Sequence, residues 1–241
     1  MKFMVPMWLE SARRLDPAFC QYLVLPNDYG SRYNARMRYP ERGRHEFPTI
    51  ASILDESLAC YVGFVTAGRP VVIPTIHGRI ERRLYLHGSA LSRWMNGLVD
   101  AMPVCVTASV LDGIVLARSA YQHSMNYRSV VAFGEAAAVV DDAEKVAALR
   151  AITERVCAGR WADIRLPARD ELRATLVLRV PIDEASAKIR AGAPIDFEHD
   201  LERNVWAGVV PLRVARGEPV PAPNSKSGIE LPEYLSDLVK V

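Results

Sequence analysis

Apolar runs of strand length, separated by short turns, dominate the first half of the chain. Residues 60–66 and 71–77 form two such runs on either side of a turn at 67–70, and a third run follows at 84–87. Connections this short favour antiparallel pairing over a regular alternation of strands and helices. Pro74 lies inside the second run and cannot donate a hydrogen bond to a neighbouring strand, so we expect this strand at a sheet edge or at a bulge.

Later apolar runs extend the same pattern. The turn signal Asp112–Gly113 separates two predicted strands at 103–110 and 114–118. The strand predicted at 128–140 is expected to be broken or bulged at Gly134. These runs add further antiparallel strands to the predicted sheet.

A last strand is predicted at 174–181, and it is expected to be central because it is apolar on both faces. Asp141 and Asp142 are candidate caps for a helix at 143–157. Other helices are predicted where apolar residues recur at helical spacing, namely at 48–57, 91–99 and, near the C-terminus, 231–239.

Together these elements predict a mainly β fold: about six or seven strands in one antiparallel barrel, with two or three helices packed outside. The alternative is a doubly wound nucleotide-binding fold, in which strands and helices alternate regularly. The sequence argues against it, because neither G-x-G-x-x-G nor a P-loop is present.

Composition narrows the class of protein further. The chain has 241 residues, of which 50% are hydrophobic, and a formal net charge of +2, which gives no strong attraction to nucleic acid. No apolar stretch reaches the roughly 18 residues that a membrane span needs. Four scattered cysteines without C-x-x-C spacing predict reduced thiols and no metal site. We therefore expect a cytoplasmic protein with no nucleic-acid partner and no membrane partner.

Three segments are predicted along the chain: an N-terminal arm at 1–46, a barrel domain at 47–214 and a C-terminal tail at 215–241. The arm carries five arginines between residues 31 and 44. Such an arm can bind nucleic acid or an anionic ligand, or it can lie over a neighbouring subunit, and the second interpretation is favoured. Alternate prolines from residue 219 predict a semi-extended tail.

The stretch 84–93 is the clearest candidate for chemistry. A short apolar strand ends at His87, a polar turn follows at Gly88–Ser89, and a predicted helix begins with Ser92 and Arg93 in its first turn. Backbone N–H groups, hydroxyls and a guanidinium presented together suit a phosphate. This interpretation competes with an ordinary turn that binds only water.

Two other side chains leave alternatives open. Arg128 enters an apolar strand, where an unpaired guanidinium would be costly, so it requires an anion, carbonyl groups or a carboxylate such as Glu135 or Asp183. Trp206 lies in a polar region and is expected either in the core, which is the favoured interpretation, or over a flat ring.

Seven pieces of the sequence share their order with one known family. They are V-I-P-T at 72–75, L-H-G-S at 86–89 with Ser92 and Arg93, V-C-V-T at 104–107, D-G-I-V-L-A-R-S-A at 112–120, H-S-M-N-Y-R-S-V-V at 123–131 with F-G at 133–134, P-x-x-x-A-S-A-K-x-R at 181–190, and V-W-A-G-V at 205–209. Together they resemble the flavin-nucleotide-binding branch of the pyridoxamine 5′-phosphate oxidase-like proteins, to which the nitroimidazole-resistance proteins are closely related. The resemblance covers roughly residues 48–212.

The resemblance implies a split β-barrel that forms a homodimer and binds FMN between the subunits. It implies that Pro74 and Thr75 run beside the isoalloxazine ring and that Ser92 and Arg93 contact the phosphate. The other implied FMN contacts are His87, Gly88 and Ser89 along the ribityl–phosphate part, Tyr127, Arg128 and Ser129 lining or bracing the cleft, and Lys188 and Trp206 from the second subunit.

The sequence also departs from part of this family. It lacks, near its C-terminus, the arginines and the histidine with which true pyridoxamine phosphate oxidases bind the substrate phosphate, so vitamin B6 oxidation is not expected. In the nitroimidazole-resistance relatives the position of His87 is also histidine, close to the flavin.

Three functions follow as hypotheses. The first is an FMN-dependent oxidoreductase acting on a small planar substrate, with His87 and His123 as candidate proton donors; His123 is alternatively a loop histidine satisfied by backbone groups. The second is a flavin carrier or sensor without turnover. The third is a haem protein with His87 or His123 as axial ligand.

Overall fold

The computed structural model describes residues 39–226 and 228–239 of the chain. Most of the predicted N-terminal arm, residues 1–38, lies outside the described residues. The domain limits given above stay a prediction. Within the described part, the two residues of β1 (Gly43–Arg44) pair with a strand of the sheet.

Ten strands and six α-helices are assigned within the described residues. The strands after β1 are β2 (Cys60–Thr66), β3 (Arg69–Thr75), β4 (Gly78–Ile80), β5 (Arg83–Ser89), β6 (Met102–Leu116), β7 (Ser124–Ala138), β8 (Thr175–Pro181), β9 (Glu184–Arg190) and β10 (Gly208–Pro211). The helices are α1 (Phe47–Glu56), α2 (Arg93–Asn96), α3 (Asp142–Val156), α4 (Arg160–Asp163), α5 (Arg169–Ala174) and α6 (Glu233–Val239).

Seven strands form the main path of the sheet, in the order β3-β2-β6-β7-β8-β5-β4. Every pairing is antiparallel, β9 pairs with both β7 and β1, and β10 pairs with β6. The predicted mainly β, antiparallel fold is confirmed. The prediction for Pro74 is also confirmed, since β3 pairs only with β2 within the described sheet and is therefore an edge strand.

Two apolar clusters hold the elements together. The larger fills the barrel interior, where side chains such as Leu54, Val62, Leu86 and Val106 are fully buried. The smaller lies between the outer face of β5–β8 and α3 and comprises Tyr85, Val139, Ala148, Ile152 and Val177. Alternation along β5 sends Leu84 and Leu86 into the first cluster and Tyr85 into the second, as expected for side chains of period two.

The predicted break at Asp112–Gly113 is wrong, because β6 continues through it from Met102 to Leu116. The pairing of β6 with β7 shifts register between Leu111 and Gly113, so the residues that resemble a turn form a bulge. A Cβ atom on Gly113 would lie 2.9 Å from Val209 Cγ1 on β10. Glycine is therefore required there for close packing of β10, and the chain does not reverse.

Three further predictions are corrected. The strand β7 is continuous and pairs with β6 through Gly134, but on its other edge the partner changes there, from β9 up to Phe133 to β8 from Ala137. A Cβ atom on Gly134 would lie 2.7 Å from the carbonyl oxygen of Pro181. Close approach of β8 therefore explains this glycine. The strand at 174–181 is central, between β5 and β7, but it is not the last, since β9 and β10 follow. The helix predicted at 91–99 is shortened to the four residues of α2.

Of the two candidate caps of α3, Asp141 is confirmed, while Asp142 is the first residue of the helix. Asp141 is the N-cap, and its carboxylate accepts a hydrogen bond from the Glu144 backbone N–H at 2.8 Å. α3 then packs across β4 and β5, and its backbone lies directly against Gly78. A Cβ atom on Gly78 would be 2.7 Å from the Ile152 nitrogen.

We expect Gly78→Ala to lower the free energy of unfolding by about 2–3 kcal/mol, because the added methyl group would collide with helix backbone that cannot rotate away. Gly217→Ala is the matched control, since a Cβ atom on Gly217 meets nothing within 4 Å. Urea denaturation of the two variants and the wild type measures the difference. Equal losses in both variants would contradict the close packing of α3 on β4.

Candidate functional site

Two free strand edges flank an opening in the barrel. On one side, β3 pairs with β2 and leaves its other edge free within the described sheet. On the other side, β4 pairs only with Arg83–Tyr85, so residues 86–89 of β5 are paired with β8 alone. Continuing the β4–β5 register by three residues would place Thr75 opposite Gly88, but the ladder stops at Gly78. We call this opening the split.

Pro74 and Thr75 end the β3 side of the split. Pro74 is exposed and has no N–H group, while the Thr75 hydroxyl donates a hydrogen bond to the carbonyl oxygen of Ile76 at 3.3 Å. The free carbonyl and N–H groups of this edge can bind the polar rim of a planar ligand. Pro74 stands opposite Tyr61 of β2, and its strand has no neighbour on the other edge within the described sheet, so proline is tolerated there.

His87 lies on the other side of the split, half-buried, on the face of β5 that carries Tyr85. Its Nδ1 atom is buried and has no hydrogen-bond partner among the described residues. Burial lowers the pKa of the imidazole, which keeps the ring neutral near neutral pH. A neutral imidazole with an unpartnered nitrogen can accept a proton or take part in binding a ligand.

The turn after β5 carries the side chains that the sequence predicts as contacts of a phosphate. The Ser89 hydroxyl accepts a hydrogen bond from the Leu91 N–H at 3.1 Å, and the Ser92 N–H donates to the Ser89 carbonyl at 2.9 Å. Ser92 precedes α2, and its side chain makes no capping bond. Arg93 is exposed and has no ion pair within the described residues. The Ser92 hydroxyl and the Arg93 guanidinium are thus available to an anion.

Gly88 is constrained by packing beneath this turn. A Cβ atom on Gly88 would overlap the sulfur of Met95, which is fully buried in the barrel core. The predicted glycine therefore allows Met95 of α2, the helix that begins at Arg93, to pack against β5.

Arg128 is paired with carboxylates and is not free to bind an anion in this structure. Its Nε and Nη2 atoms donate to Asp112 at 2.9 and 2.7 Å, and its guanidinium also binds both oxygens of Glu56. The pKa of Arg128 is raised by these bonds, and the pKa of Glu56 is lowered, chiefly by its hydrogen bond to Arg128. The sequence predicted a carboxylate partner as one alternative, but Glu135 and Asp183 are the wrong partners.

Tyr127, Ser129 and Lys188 lie together on the outer face of the sheet. Ser129 pairs with Lys188 in register and its hydroxyl donates to the Lys188 carbonyl at 3.4 Å, while the intervening Val130 points into the core. The structure therefore divides the predicted contacts into two groups, one at the split and one on this outer face.

His123 and Trp206 belong to neither strand edge of the split: His123 directly precedes β7 and Trp206 lies two residues before β10. His123 is exposed and donates from Nδ1 to the Ser119 carbonyl at 2.8 Å, as in the alternative that has it satisfied by backbone. Trp206 is 65% exposed, so the interpretation as a core residue is wrong. Its ring lies over Gly208, where a Cβ atom would be only 2.8 Å from the indole, and β10 begins there.

His77 is a buried residue beside the split that sequence reasoning missed. It follows Thr75 by two residues, is 2% exposed, and donates from Nε2 to the Leu54 carbonyl at 2.9 Å. Burial lowers its pKa, with the nearby Arg155 charge acting in the same direction. The available signal was a histidine at the end of an apolar strand, which must find a polar partner when buried.

Two further observations concern metal-binding groups and membrane-spanning helices. Among the described residues no group of three or more His, Cys, Asp or Glu side chains is arranged to hold a metal ion. No helix in the described part of the chain is long and apolar enough to cross a membrane.

The open antiparallel barrel with a polar turn at its split defines the class of protein as a split β-barrel. The family model for pyridoxamine 5′-phosphate oxidase matches residues 48–189, and the chain belongs to this family. The resemblance stated from the sequence is therefore confirmed. No curated protein matches the chain significantly.

Solved structures support the same assignment. The flavocytochrome Anf3 from Azotobacter vinelandii is 37% identical, with a TM-score of 0.78 over 84% of this chain and 94% of its own. The FAD and haem binding protein from Mycobacterium smegmatis is 36% identical, with a TM-score of 0.79 over 82% of this chain and 97% of its own. A structure assigned to 5-nitroimidazole antibiotic resistance in Bacteroides thetaiotaomicron is 26% identical, with a TM-score of 0.51 over 61% of this chain and 86% of its own.

We expect Arg128→Gln to lower the free energy of unfolding by about 1–2 kcal/mol at neutral pH, because Glu56 and Asp112 lose the charge that joins them. The folded pKa of Glu56 is below its ordinary value of 4.5, so its contribution is present above that value and is lost as the pH falls through the lowered pKa. The difference between variant and wild type should therefore shrink in acid. Chemical denaturation at several pH values measures it.

Arg93→Gln is the matched control, since Arg93 is exposed and unpaired, and its stability should stay within about 0.5 kcal/mol of wild type. If Arg128→Gln is as stable as this control, Arg128 does not brace α1 against β6.

Proposed function

We propose that this chain is a flavin-binding protein that holds its cofactor in the split. The observation that carries this proposal is the pair of free strand edges on either side of the split, one of which leads into a turn with an unpaired arginine. The β3 edge ends at Pro74–Thr75, the β5 edge runs through 86–89, and Arg93 follows at the end of the second edge. A flat polar ring with a phosphate-bearing chain matches both parts of this arrangement.

In this proposal the polar rim of the isoalloxazine ring binds free backbone groups of Pro74–Thr75. The phosphate next to the ribityl chain binds the Ser92 hydroxyl and the Arg93 guanidinium, with Ser89 beside them. The residues fit such a group because Arg93 lacks a carboxylate partner within the described residues, while Arg128 is already paired. An exposed cation without a partner is inexpensive and remains available.

The relatives support a flavin but differ from the sequence expectation in its identity. The sequence resemblance implies FMN, whereas one relative at 36% identity is a protein that binds FAD and haem. The phosphate next to the ribityl chain is common to FMN and FAD. The proposed contacts involve only the isoalloxazine ring and this phosphate, which both cofactors contain. The mass of the bound flavin therefore distinguishes FMN from FAD.

A bound flavin would supply hydride or electron transfer, and the protein would supply position and electrostatics. We propose that this chain is an oxidoreductase acting on a small planar substrate. The neutral His87 imidazole, with its unpartnered Nδ1, is the group beside the split that can hold or move a proton. His123 is the second candidate carried from the sequence, although its Nδ1 already donates to a backbone carbonyl.

Two other functions remain as alternatives. A flavin carrier or sensor without turnover uses the same binding contacts and needs no proton donor. Haem binding is favoured by the descriptions of two relatives above 30% identity, one a flavocytochrome and the other a FAD and haem binding protein. In this chain the buried, unpartnered Nδ1 of His87 makes that histidine the candidate axial ligand.

We also propose that the protein is a homodimer, with the flavin between subunits and Lys188 and Trp206 reaching it from the second subunit. The outer face of β2–β3 supports this, because Tyr61 is 46% exposed and Val72 is 61% exposed on paired strands. Large apolar side chains on an open sheet face are typical of a protein interface. Trp206 is exposed in the same single-chain structure, as an interface residue would be.

The purified protein should be yellow, and denaturation should release a flavin whose mass identifies it as FMN or FAD. Arg93→Ala should weaken flavin affinity at least ~10-fold, because the phosphate loses a charge-assisted hydrogen bond. Arg150→Ala is the control, since Arg150 is exposed on α3 and belongs to neither edge of the split. Titration of the flavin-free proteins with FMN and FAD measures both affinities.

A colourless protein that binds neither flavin would contradict the proposal, and unchanged affinity in Arg93→Ala would remove the phosphate assignment. A Soret band after purification would support haem binding. Anaerobic mixing of the flavin-loaded protein with NADH or NADPH then tests turnover, because bleaching of the flavin supports an oxidoreductase and no bleaching with either donor favours a carrier.

Val72→Glu should convert the dimer to a monomer of 26.8 kDa, because it places a charge in the centre of the proposed interface. Val220→Glu is the matched control, since Val220 is 90% exposed in the tail. Light scattering after size-exclusion chromatography measures the masses. A wild-type protein that is already monomeric would contradict the dimer and the placement of Lys188 and Trp206.

A further inference from the structure

The two edges of the split are connected by one corner, residues 76–78, in which His77 and Gly78 are buried. This corner continues β3 into β4, and through the β4–β5 ladder it sets where β3 stands relative to residues 86–89. Any ligand that spans the split therefore depends on the position of the corner. The corner packs against two helices, α1 and α3.

His77 attaches the corner to α1. Its Nε2 donates to the Leu54 carbonyl at 2.9 Å, one of the carbonyl groups at the C-terminal end of α1 that has no partner inside the helix. On the next residue, Gly78 lies so close to α3 that a Cβ atom would come within 2.9 Å of Ala151 C. The corner is thus bonded to one helix and wedged against another.

Arg155 joins the two helices at the same point. It extends from α3 and donates from Nη2 to the Ser57 carbonyl at 2.6 Å, immediately after α1. Leu54, Ser57, His77 and Arg155 therefore form one polar joint between α1, α3 and the corner. His77 is the member of this joint that is nearest to Thr75 in the chain.

A second proton on the imidazole would lack a hydrogen-bond acceptor. The Nδ1 atom of the ring is buried without a partner within the described residues, so a proton there would have no acceptor. Two charged groups act on the ring: Arg155 from α3, which opposes a positive imidazole, and Asp55 from α1, which favours it but is paired with Arg79 at 2.8 Å. Burial is the largest influence and opposes the charge, the hydrogen bond to the Leu54 carbonyl favours it, and the net effect lowers the pKa of His77.

We propose that His77 is a positioning residue for the flavin: its bond to the Leu54 carbonyl holds the corner that spaces the two edges of the split, and protonation of His77 loosens the corner and releases the flavin. This inference rests on the proposed function. It adds a residue that does not touch the cofactor and a condition, mild acid, under which affinity falls.

Two substitutions separate the bond from the charge. In His77→Gln the side-chain amide nitrogen can take the place of Nε2 and donate to Leu54, but it cannot be protonated. In His77→Asn the amide is too short to reach the Leu54 carbonyl. Both variants are neutral and polar, so each is the control for the other, and His199→Gln, at an exposed histidine, controls for substitution of histidine in general.

FMN and FAD are each titrated into the flavin-free full-length proteins between about pH 5 and pH 8, around the ordinary pKa of histidine. We expect wild-type affinity to fall at least ~10-fold towards pH 5, His77→Gln to match wild type at pH 8 and to keep most of its affinity in acid, and His77→Asn to bind ~10-fold more weakly at pH 8. His87 also titrates beside the split, so the comparison with His77→Gln isolates the share of His77.

If His77→Asn binds as tightly as wild type at pH 8, or if the pH profile of His77→Gln overlays that of wild type, the inference is wrong. Hydrogen exchange of the flavin-free proteins gives an independent measure, because His77→Asn should speed exchange at residues 75–78 while His77→Gln should not. Failure of the wild type to bind either flavin would contradict the proposed function itself. Unchanged exchange in His77→Asn would contradict the positioning role, whether or not a flavin binds.

Discussion

The feature on which the site depends is the early end of the β4–β5 ladder at Gly78 and Tyr85. If the ladder continued, Thr75 would pair with Gly88, the sheet would close, and both strand edges would be lost to internal hydrogen bonds. Instead β3 turns towards β2, and residues 86–89 pair with β8 alone. An unpaired backbone edge is a liability for a barrel unless something covers it, and a ligand can do so.

Packing under the corner maintains this separation. Gly78 has to be glycine because α3 passes directly against it, and His77 has to be polar because it meets a carbonyl at the end of α1. The same helix end carries Asp55 and Glu56, an unfavourable placement for carboxylates, since the C-terminus of a helix is its negative end. Arg79 and Arg128 compensate these charges and tie α1 to β4 and β7.

Local patterns were sufficient where the relevant physics is local. Pro74 lacks a donor wherever it lies, so its strand had to be an edge or a bulge, and β3 is an edge. Asp141 caps α3 through a bond three residues away. Sequence patterns gave the wrong local structure where a segment distant in sequence packs against the residue. Gly113 resembles a turn residue, but β10 packs against it, and Gly134 resembles a break, but β8 approaches it.

The sequence by itself determined the mainly antiparallel β class, the family, and the order strand, Gly-Ser turn, Arg93, because these follow from apolar spacing and from residues adjacent in the chain. Only the tertiary structure decided that Arg128 is paired, since Glu56 lies 72 residues away in sequence. It also placed Tyr127, Ser129 and Lys188 on the outer face of the sheet, on strands other than the two that border the split. The hydrogen bond of His77 likewise depends on Leu54 of α1, 23 residues earlier, because burial and hydrogen-bond partners are properties of the folded chain.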